Sequence, residues 1–183
     1  GGLTAALLRN GAAKVITIET DPRFADALRQ WPDAADGRLI VIEGDALKTD
    51  ISALAAEQSG HSSVMLIANL PYNVGTPLVI DWIKAPAYDP DNRTGWRGEM
   101  ALMFQREVAE RLCASPGDAH YGRLAVLAQA TTAPHIALTL PPGAFSPPPK
   151  VESAVAVLIP LPVEQRFSDI EALEKVTGAA FGQ

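Results

Sequence analysis

The stretch VMLIANLPYNVGTP, residues 64–77, decides how this chain folds. It begins with five apolar, uncharged residues, and the run stops at a tetrapeptide that contains a proline, residues 69–72. Such a run is typical of a central parallel strand that leads into a loop. Because ligands bind at this edge of open α/β sheets, residues 69–72 are predicted to form a reaction site.

The tetrapeptide carries groups that can hold a flat base with an exocyclic amine. The side-chain oxygen of Asn69 and the carbonyl of Leu70 or Pro71 can each accept one amine hydrogen. The ring of Tyr72 can stack on the base, and Pro71 fixes the local backbone. The alternative is an ordinary strand-to-loop turn in which Asn69 caps the next helix and Tyr72 only packs.

Two acids follow the two preceding strands at a regular interval. Glu19 ends a strand predicted over 14–19, and Asp45 follows one predicted over 38–43. Asp45 lies 26 positions after Glu19, and Asn69 lies 24 positions after Asp45, about one βα unit each. Right-handed βα units would place all three side chains at one sheet edge. A solvent-facing strand end for Glu19 and an Asx turn for Asp45 remain alternatives.

The remaining chain continues the alternation of strands and helices. A proline-rich loop over 141–151 is expected to be stiff and to present Phe145 and Lys150, although it could be a rigid connector or an SH3-type ligand. Ser168 is expected to cap the last helix. Further strands are predicted at 99–104, 134–140 and 153–159, and helices at 22–31, 51–58, 76–85, 105–114 and 124–130.

Composition bounds the function classes. The 183 residues carry a net charge of −6 and 48% apolar residues, which suffices for a substantial core. No window is apolar enough to span a membrane and no signal segment opens the chain, so a cytoplasmic protein is expected. The single Cys113 is interpreted as a structural thiol, and the three histidines lack metal-ligand spacing, so no metal is expected.

Basic residues cluster despite the acidic total. Five arginines fall within one third of the chain, and Lys150 follows in the proline-rich loop. Clustered cations are typical of phosphate contacts, although a solvated face balanced by nearby glutamates is an alternative. The arginines are Arg93, Arg97, Arg106, Arg111 and Arg123.

Taken together, the ordered motifs closely resemble the small-subunit ribosomal RNA adenine dimethyltransferases, the KsgA type. The resemblance implies a Rossmann-like, class I S-adenosylmethionine-dependent methyltransferase fold of the α/β class. It has a mixed seven-stranded sheet with a reversed last strand. Residues 1–162 would be the catalytic domain, with its first strand before Gly1, and residues 163–183 would begin a small helical domain. The motifs are GGLT (1–4), Glu19, GDAL (44–47), NLPYN (69–73), QREVAER (105–111), YGRL (121–124) and FSPPPKVESAV (145–155).

The resemblance also assigns roles to single residues. S-adenosylmethionine would be the methyl donor, with Glu19 on the ribose hydroxyls, Asp45 on the adenine amine and the Ala46 backbone on the adenine. Gly1 would lie beside the cofactor and Asn69 near its methionine part. The target amine would be held by Asn69 and a carbonyl of Leu70 or Pro71, and the target base by the rings of Tyr72 and Phe145. The RNA contacts are expected at Arg106, Arg123 and Lys150.

The implied function is dimethylation of two adjacent adenosines near the 3′ end of small-subunit (16S) rRNA by a monomer. Two alternatives remain: an antibiotic-resistance enzyme that methylates adenine in large-subunit rRNA, and a non-catalytic ribosome-assembly module that binds RNA. The residue Asn73 and the run PPPKV, residues 147–151, fit the small-subunit family better. DNA is not expected as a substrate, because DNA adenine methyltransferases commonly have proline where this chain has Leu70.

Overall fold

A computed structural model of the chain describes residues 1–59, 62–70 and 75–182. These residues form two compact units, Gly1–Ile51 and Ser52–Gln183. No helix within the described ranges is long and apolar enough to cross a bilayer.

The N-terminal unit pairs two parallel strands with helices packed on them. β1 and β2 run in register from Val15 opposite Leu39 to Glu19 opposite Glu43, and both are rich in the β-branched residues that favour strands. Its elements are α1 (Gly2–Arg9), β1 (Val15–Glu19), α2 (Pro22–Arg29), α3 (Pro32–Ala35) and β2 (Leu39–Glu43).

The core of this unit is small and apolar. Leu8 of α1, Leu28 of α2 and Leu39 of β2 are buried together. Helix α2 begins where the sequence predicts, because the Asp21 side chain accepts a hydrogen bond from the Arg23 backbone nitrogen at 2.9 Å. Pro22 is the first helical residue, where the backbone N–H that proline lacks would have no partner within the helix. The strand ends that carry the candidate acids are therefore anchored by packing and by a helix cap.

The C-terminal unit is built on a four-stranded sheet in the order β3-β4-β6-β5. β3 and β4 are parallel, whereas β6 runs antiparallel to both of its neighbours. The predicted reversal of the last strand is thus confirmed. The elements are α4 (Ile51–Ser59), β3 (Val64–Asn69), α5 (Gly75–Lys84), β4 (Arg97–Gln105), α6 (Arg106–Cys113), α7 (Arg123–Gln129), β5 (Thr132–Leu140), β6 (Ser153–Pro160) and α8 (Ile170–Ala180).

Alternation along β4 fixes the core of this unit. Met100, Leu102 and Phe104 are buried at every second position, as expected for a strand covered by helices. α5 and α7 pack on each other and contribute further buried residues, among them Val79 and Leu127. The six described strands match the six predicted within the chain, and the seventh of the prediction was placed before Gly1.

One predicted helix start is wrong by a residue. Asp169, not Ser168, caps α8, and its side chain accepts a hydrogen bond from the Ala172 backbone nitrogen at 2.9 Å. The helix begins at Ile170, which puts Asp169 in the capping position, where a carboxylate also complements the positive end of the helix dipole.

Candidate functional site

The carboxyl ends of β1 and β2 lie side by side in the N-terminal unit. Gly44, just after β2, donates its N–H to the Glu19 carbonyl at 3.0 Å. The Thr20 hydroxyl in turn donates to the Gly44 carbonyl at 3.2 Å. Glu19 and Asp45 therefore occupy the same sheet edge, as the spacing predicts. Asn69 is the last residue of β3 and belongs to the C-terminal unit.

The Glu19 carboxylate is held in place by the turn that follows β1. Its Oε1 accepts the Asp21 N–H at 3.0 Å, and the side chain is half-buried. Its Oε2 accepts no hydrogen bond from the residues that the structure describes. A fixed carboxylate with one open oxygen can accept hydrogen bonds from a pair of ribose hydroxyls.

Asp45 makes the Asx turn that the sequence left open as an alternative. Its Oδ1 accepts the Leu47 N–H at 2.9 Å, and its carbonyl accepts the Thr49 hydroxyl at 2.8 Å. Oδ2 accepts nothing from the described part of the chain, so the turn and an external amine can share this carboxylate. The half-buried Ala46 likewise uses its N–H in no hydrogen bond among the described residues. An acceptor and a donor thus stand in adjacent residues, as recognition of an adenine edge requires.

Gly1 precedes helix α1 in the N-cap position. Its carbonyl accepts the Ala5 N–H at 3.0 Å, and a Cβ added to it would meet no atom within 4 Å. The glycine is exposed, so its backbone is open to a neighbouring group.

In the C-terminal unit, the first two residues of the tetrapeptide stand at the end of β3, and the first is exposed whereas the second is buried. Asn69 is exposed, whereas Leu70 is only 5% exposed and donates its N–H to the Met103 carbonyl at 3.1 Å. The predicted residues Pro71 and Tyr72 lie outside the described ranges, as does Asn73. The chain resumes at Gly75, whose ideal Cβ would lie 3.3 Å from Leu70 Cβ and 3.4 Å from a carbon of the Phe104 ring. Leu70 and Gly75 thus both pack against the core.

The proline-rich loop places Phe145 and Lys150 differently. Phe145 is half-buried, and its N–H closes a short 3-10 turn by donating to the Pro142 carbonyl at 3.2 Å. Lys150 is exposed and has no partner in the described part of the chain. The loop thus contains one short turn, which positions Phe145, and the exposed Lys150 side chain is open to an external partner.

The two arginines predicted to bind RNA are both engaged by carboxylates. Arg106 contacts Glu152 and Glu110, each at 2.7 Å, and these two hydrogen bonds raise the pKa of its guanidinium. Arg123 contacts Glu174 at 2.8 Å. The alternative of a face balanced by nearby glutamates therefore describes Arg106, which pairs with Glu110, whereas Arg123 pairs with a glutamate 51 positions away. Lys150 keeps an uncompensated charge among the described residues.

Arg97 departs furthest from the predicted basic cluster, because it lies in the core with 0% exposure. Its Nε donates to the Ala85 carbonyl at 3.2 Å and its Nη2 to the Thr131 hydroxyl at 3.4 Å, while its Nη1 has no partner. Burial, with the nearby charge of Arg166, lowers the pKa of Arg97 to about 10. This arginine cannot contact an external phosphate.

The sequence predicts neither a reactive thiol nor a metal site. Burial raises the pKa of the Cys113 thiol to about 11, which makes it a poor nucleophile at neutral pH and supports its structural interpretation. Within residues 1–59, 62–70 and 75–182, no cluster of side chains could hold a metal ion.

Comparison with known families and sequences gives one consistent result. A family model described as "Ribosomal RNA adenine dimethylase" matches residues 1–183. The chain is 50% identical over 183 residues to "Ribosomal RNA small subunit methyltransferase A" of Maricaulis maris. That alignment covers all of this chain and 60% of the relative. It is 51% identical over 185 residues to the protein of the same name from Rhizobium etli, covering 63% of that relative. The chain thus spans about 60% of the length of these curated relatives.

Solved structures resemble the fold closely. A dimethyladenosine transferase from Plasmodium falciparum superposes with a TM-score of 0.76 at 28% identity, covering 100% of this chain and 60% of the other. The 23S rRNA methyltransferase ErmE superposes with a TM-score of 0.73 at 22% identity, covering 99% of this chain and 66% of the other. At 22% identity, the likeness to ErmE concerns the fold alone. The strand order and the reversed last strand therefore belong to a methyltransferase fold.

Proposed function

Because the chain belongs to the ribosomal RNA adenine dimethylase family, we propose that the full-length protein dimethylates two adjacent adenosines near the 3′ end of small-subunit rRNA. The observation that carries the proposal is the end of β3. There a parallel strand presents the exposed amide of Asn69 while Leu70 is locked into the core. The small ribosomal subunit is the proposed partner, the cytoplasm the proposed location and a monomer the proposed state.

The donor side of the reaction belongs to the N-terminal unit. Glu19 offers its open oxygen to the ribose hydroxyls, and Asp45 with the Ala46 N–H recognises the adenine. A Cβ added to Gly1 would meet no atom within 4 Å, so the backbone there leaves room for the donor. These residues fit S-adenosylmethionine, which would supply a methyl group from its sulfonium and leave as a neutral thioether once the S–CH3 bond is broken. What this unit does chemically is to hold and orient the donor.

The acceptor side belongs to the C-terminal unit. Asn69 and the carbonyl of Leu70 or Pro71 accept the two hydrogens of the target amine, and the rings of Tyr72 and Phe145 hold the base between them. An aromatic amine is a poor nucleophile, because its lone pair is delocalised into the ring. Two acceptors favour a pyramidal nitrogen, so the chain catalyses chiefly by positioning and charge stabilisation. The alkylated nitrogen is acidic and loses its proton to solvent, which removes the need for a dedicated base.

The RNA would be gripped by uncompensated cations rather than by the whole cluster. Lys150 is the strongest candidate among the three predicted contacts, since Arg106 and Arg123 already face carboxylates. Those two arginines could reach phosphate only by exchanging partners. Residues 1–162 are proposed as the catalytic domain and residues 163–183 as the start of a helical domain that continues the grip.

The test is a product analysis with two substrates. The full-length protein is incubated with S-adenosylmethionine and with undermethylated small or large subunits, and the nucleosides are identified by mass spectrometry. Dimethyladenosine from the small subunit alone is expected. The same product from the large subunit would assign the protein to the resistance class. Tight subunit binding without any product would instead indicate an assembly module.

A further inference from the structure

A single carboxylate ties three helices of the C-terminal unit together. Glu174 of α8 contacts Lys84 at the end of α5 at 2.9 Å and Arg123 at the start of α7 at 2.8 Å. The partners are 90 and 51 positions away in sequence, so these bonds define tertiary structure rather than local helix pairing. The three side chains are only 24–32% exposed.

The arrangement depends on the charge of Glu174. Two cations converge on this one carboxylate, and Arg123 Nε is buried without a partner of its own. If the side chain at position 174 were neutral, the positive charges of Lys84 and Arg123 would repel each other, because no negative charge would lie between them. The three side chains line a surface cavity of about 410 Å³, so the ion pairs, rather than tight apolar packing, hold Lys84 beside α8.

Helix α5 connects this cluster to the predicted reaction site. It starts at Gly75, the first described residue after the tetrapeptide, and ends at Lys84. Gly75 is seated tightly on Leu70 and Phe104, at the ends of β3 and β4. A ten-residue helix moves as a rigid body, so a displacement at Lys84 is transmitted to Gly75 and, through their close packing, to Leu70.

We propose that Glu174 is a positioning residue, which fixes α5 through Lys84 and thereby sets the position of Leu70 and of the neighbouring Asn69 at the end of β3. The inference rests on the proposed function, because its readout is methyl transfer. Since α8 lies in the segment proposed to begin the RNA-gripping domain, Glu174 would couple the position of that domain to the position of the target base.

The test compares two isosteric variants of the full-length protein, Glu174→Gln and Glu171→Gln. Glu171 lies on the same helix and lines the same cavity, but makes no close ion pair within the described residues. Glu174→Gln is expected to lower kcat for small-subunit methylation roughly tenfold, as for a slightly misplaced reacting group. KM for S-adenosylmethionine should not change. Glu171→Gln should match the wild type.

A cycle with Lys84→Met asks whether Glu174 acts through Lys84. The double variant should lose no more kcat than the worse single variant, because one connection is removed in each case. Additive losses would overturn the inference, as would a wild-type kcat in Glu174→Gln or equal losses in both glutamate variants. An effect on KM for the subunit alone would also overturn it, in favour of a plain RNA contact.

Two further outcomes are separable. If Glu174→Gln fails to fold by circular dichroism, Lys84→Met decides: a folded variant with the expected kcat loss supports the inference, and an unfolded one overturns it in favour of a purely structural cluster. An inactive wild type would instead reject the proposed function, whatever the variants do.

Discussion

The acids at the strand ends of the N-terminal unit and the arginines on the helices of the C-terminal unit were predicted with the same type of argument, yet they differ in the structure. Glu19 and Asp45 each spend one carboxylate oxygen on a local turn and keep the other open. Arg106 and Arg123 have their guanidinium groups held by carboxylates from other elements. A polar residue at a strand end thus stays available for a ligand more readily than a cation on a packed helix.

The difference has a topological cause. Parallel strands all present their carboxyl ends at one edge, where no further strand residue competes for the side chain. A helical cation meets whatever the neighbouring elements present, and in this acidic chain that is often a carboxylate. Function is therefore expected to concentrate at the strand ends, and each prediction below tests that contrast.

The largest effect is expected at the end of β3. Replacing Asn69 with Ala removes one of two acceptors for the target amine and should reduce kcat about a hundredfold, by analogy with removal of one stabilising donor elsewhere. The exposed side chain leaves the core unchanged, so circular dichroism and the melting temperature should match the wild type. Near-normal methylation by the folded variant would rule out the role of Asn69.

The next prediction compares the affinity for S-adenosylmethionine of variants at two glutamates, Glu19 and Glu43, which are neighbours in the register of β1 and β2. Glu19→Gln removes the charge from the proposed ribose acceptor and should weaken S-adenosylmethionine binding about tenfold or more in calorimetry. Glu43→Gln is the matched control, since Glu43 lies opposite Glu19 but contacts Arg29 on the exposed side. Equal affinities for the two variants would contradict the assignment of Glu19.

The comparison also shows how far the sequence leads. The apolar run 64–68 predicts a strand, and β3 lies at Val64–Asn69; the helix predicted at 76–85 lies at Gly75–Lys84. Apolar runs and the glycine and proline residues that end them are local signals, so they locate elements to within a residue or two. The candidate acids inherit that accuracy, because they are defined by strand ends.

The sequence contains no comparable local signal for ion pairs between different helices and strands. Glu152 and Glu174 meet their arginines across 46 and 51 positions, and nothing in the spacing of either residue reveals its partner. Arg97 was counted with an exposed cluster, although it lies at the first residue of a buried strand. The pattern of charges predicts which face of an element is polar, but the packed structure decides which charges remain free.

A smaller effect should distinguish a free cation from a paired one. Lys150→Ala removes an exposed, uncompensated charge and should lower the salt dependence of subunit binding by about one unit in the log–log slope. Arg106→Ala should leave the slope nearly unchanged, because its charge is already balanced by Glu110 and Glu152. Binding titrations at several salt concentrations measure both slopes, and a larger change for Arg106→Ala would reverse the proposed order of the RNA contacts.

The smallest effect concerns the charge on Glu174. The hydrogen bond from Lys84, together with the positive charges of Lys84 and Arg123, holds the pKa of this carboxyl below its ordinary value, and the hydrogen bond to Glu174 in turn raises the pKa of Lys84. A lowered carboxyl pKa stabilises the folded state above the unfolded-state pKa, and this contribution is lost as the pH falls through the folded-state pKa. For Lys84 the contribution is present below its ordinary pKa and is lost as the pH rises through the raised value.

Urea unfolding of the wild type and Glu174→Gln across pH tests this directly. At neutral pH the wild type should be more stable by about 1 kcal/mol or less, the size expected for a partly exposed ion pair. The difference should shrink in acid, where Glu174 becomes protonated in both states, and again in strong alkali, where Lys84 loses its proton. A difference that is constant over the whole range would show that the glutamine variant loses packing rather than charge, and the contrast between paired and open charges would then not extend to α8.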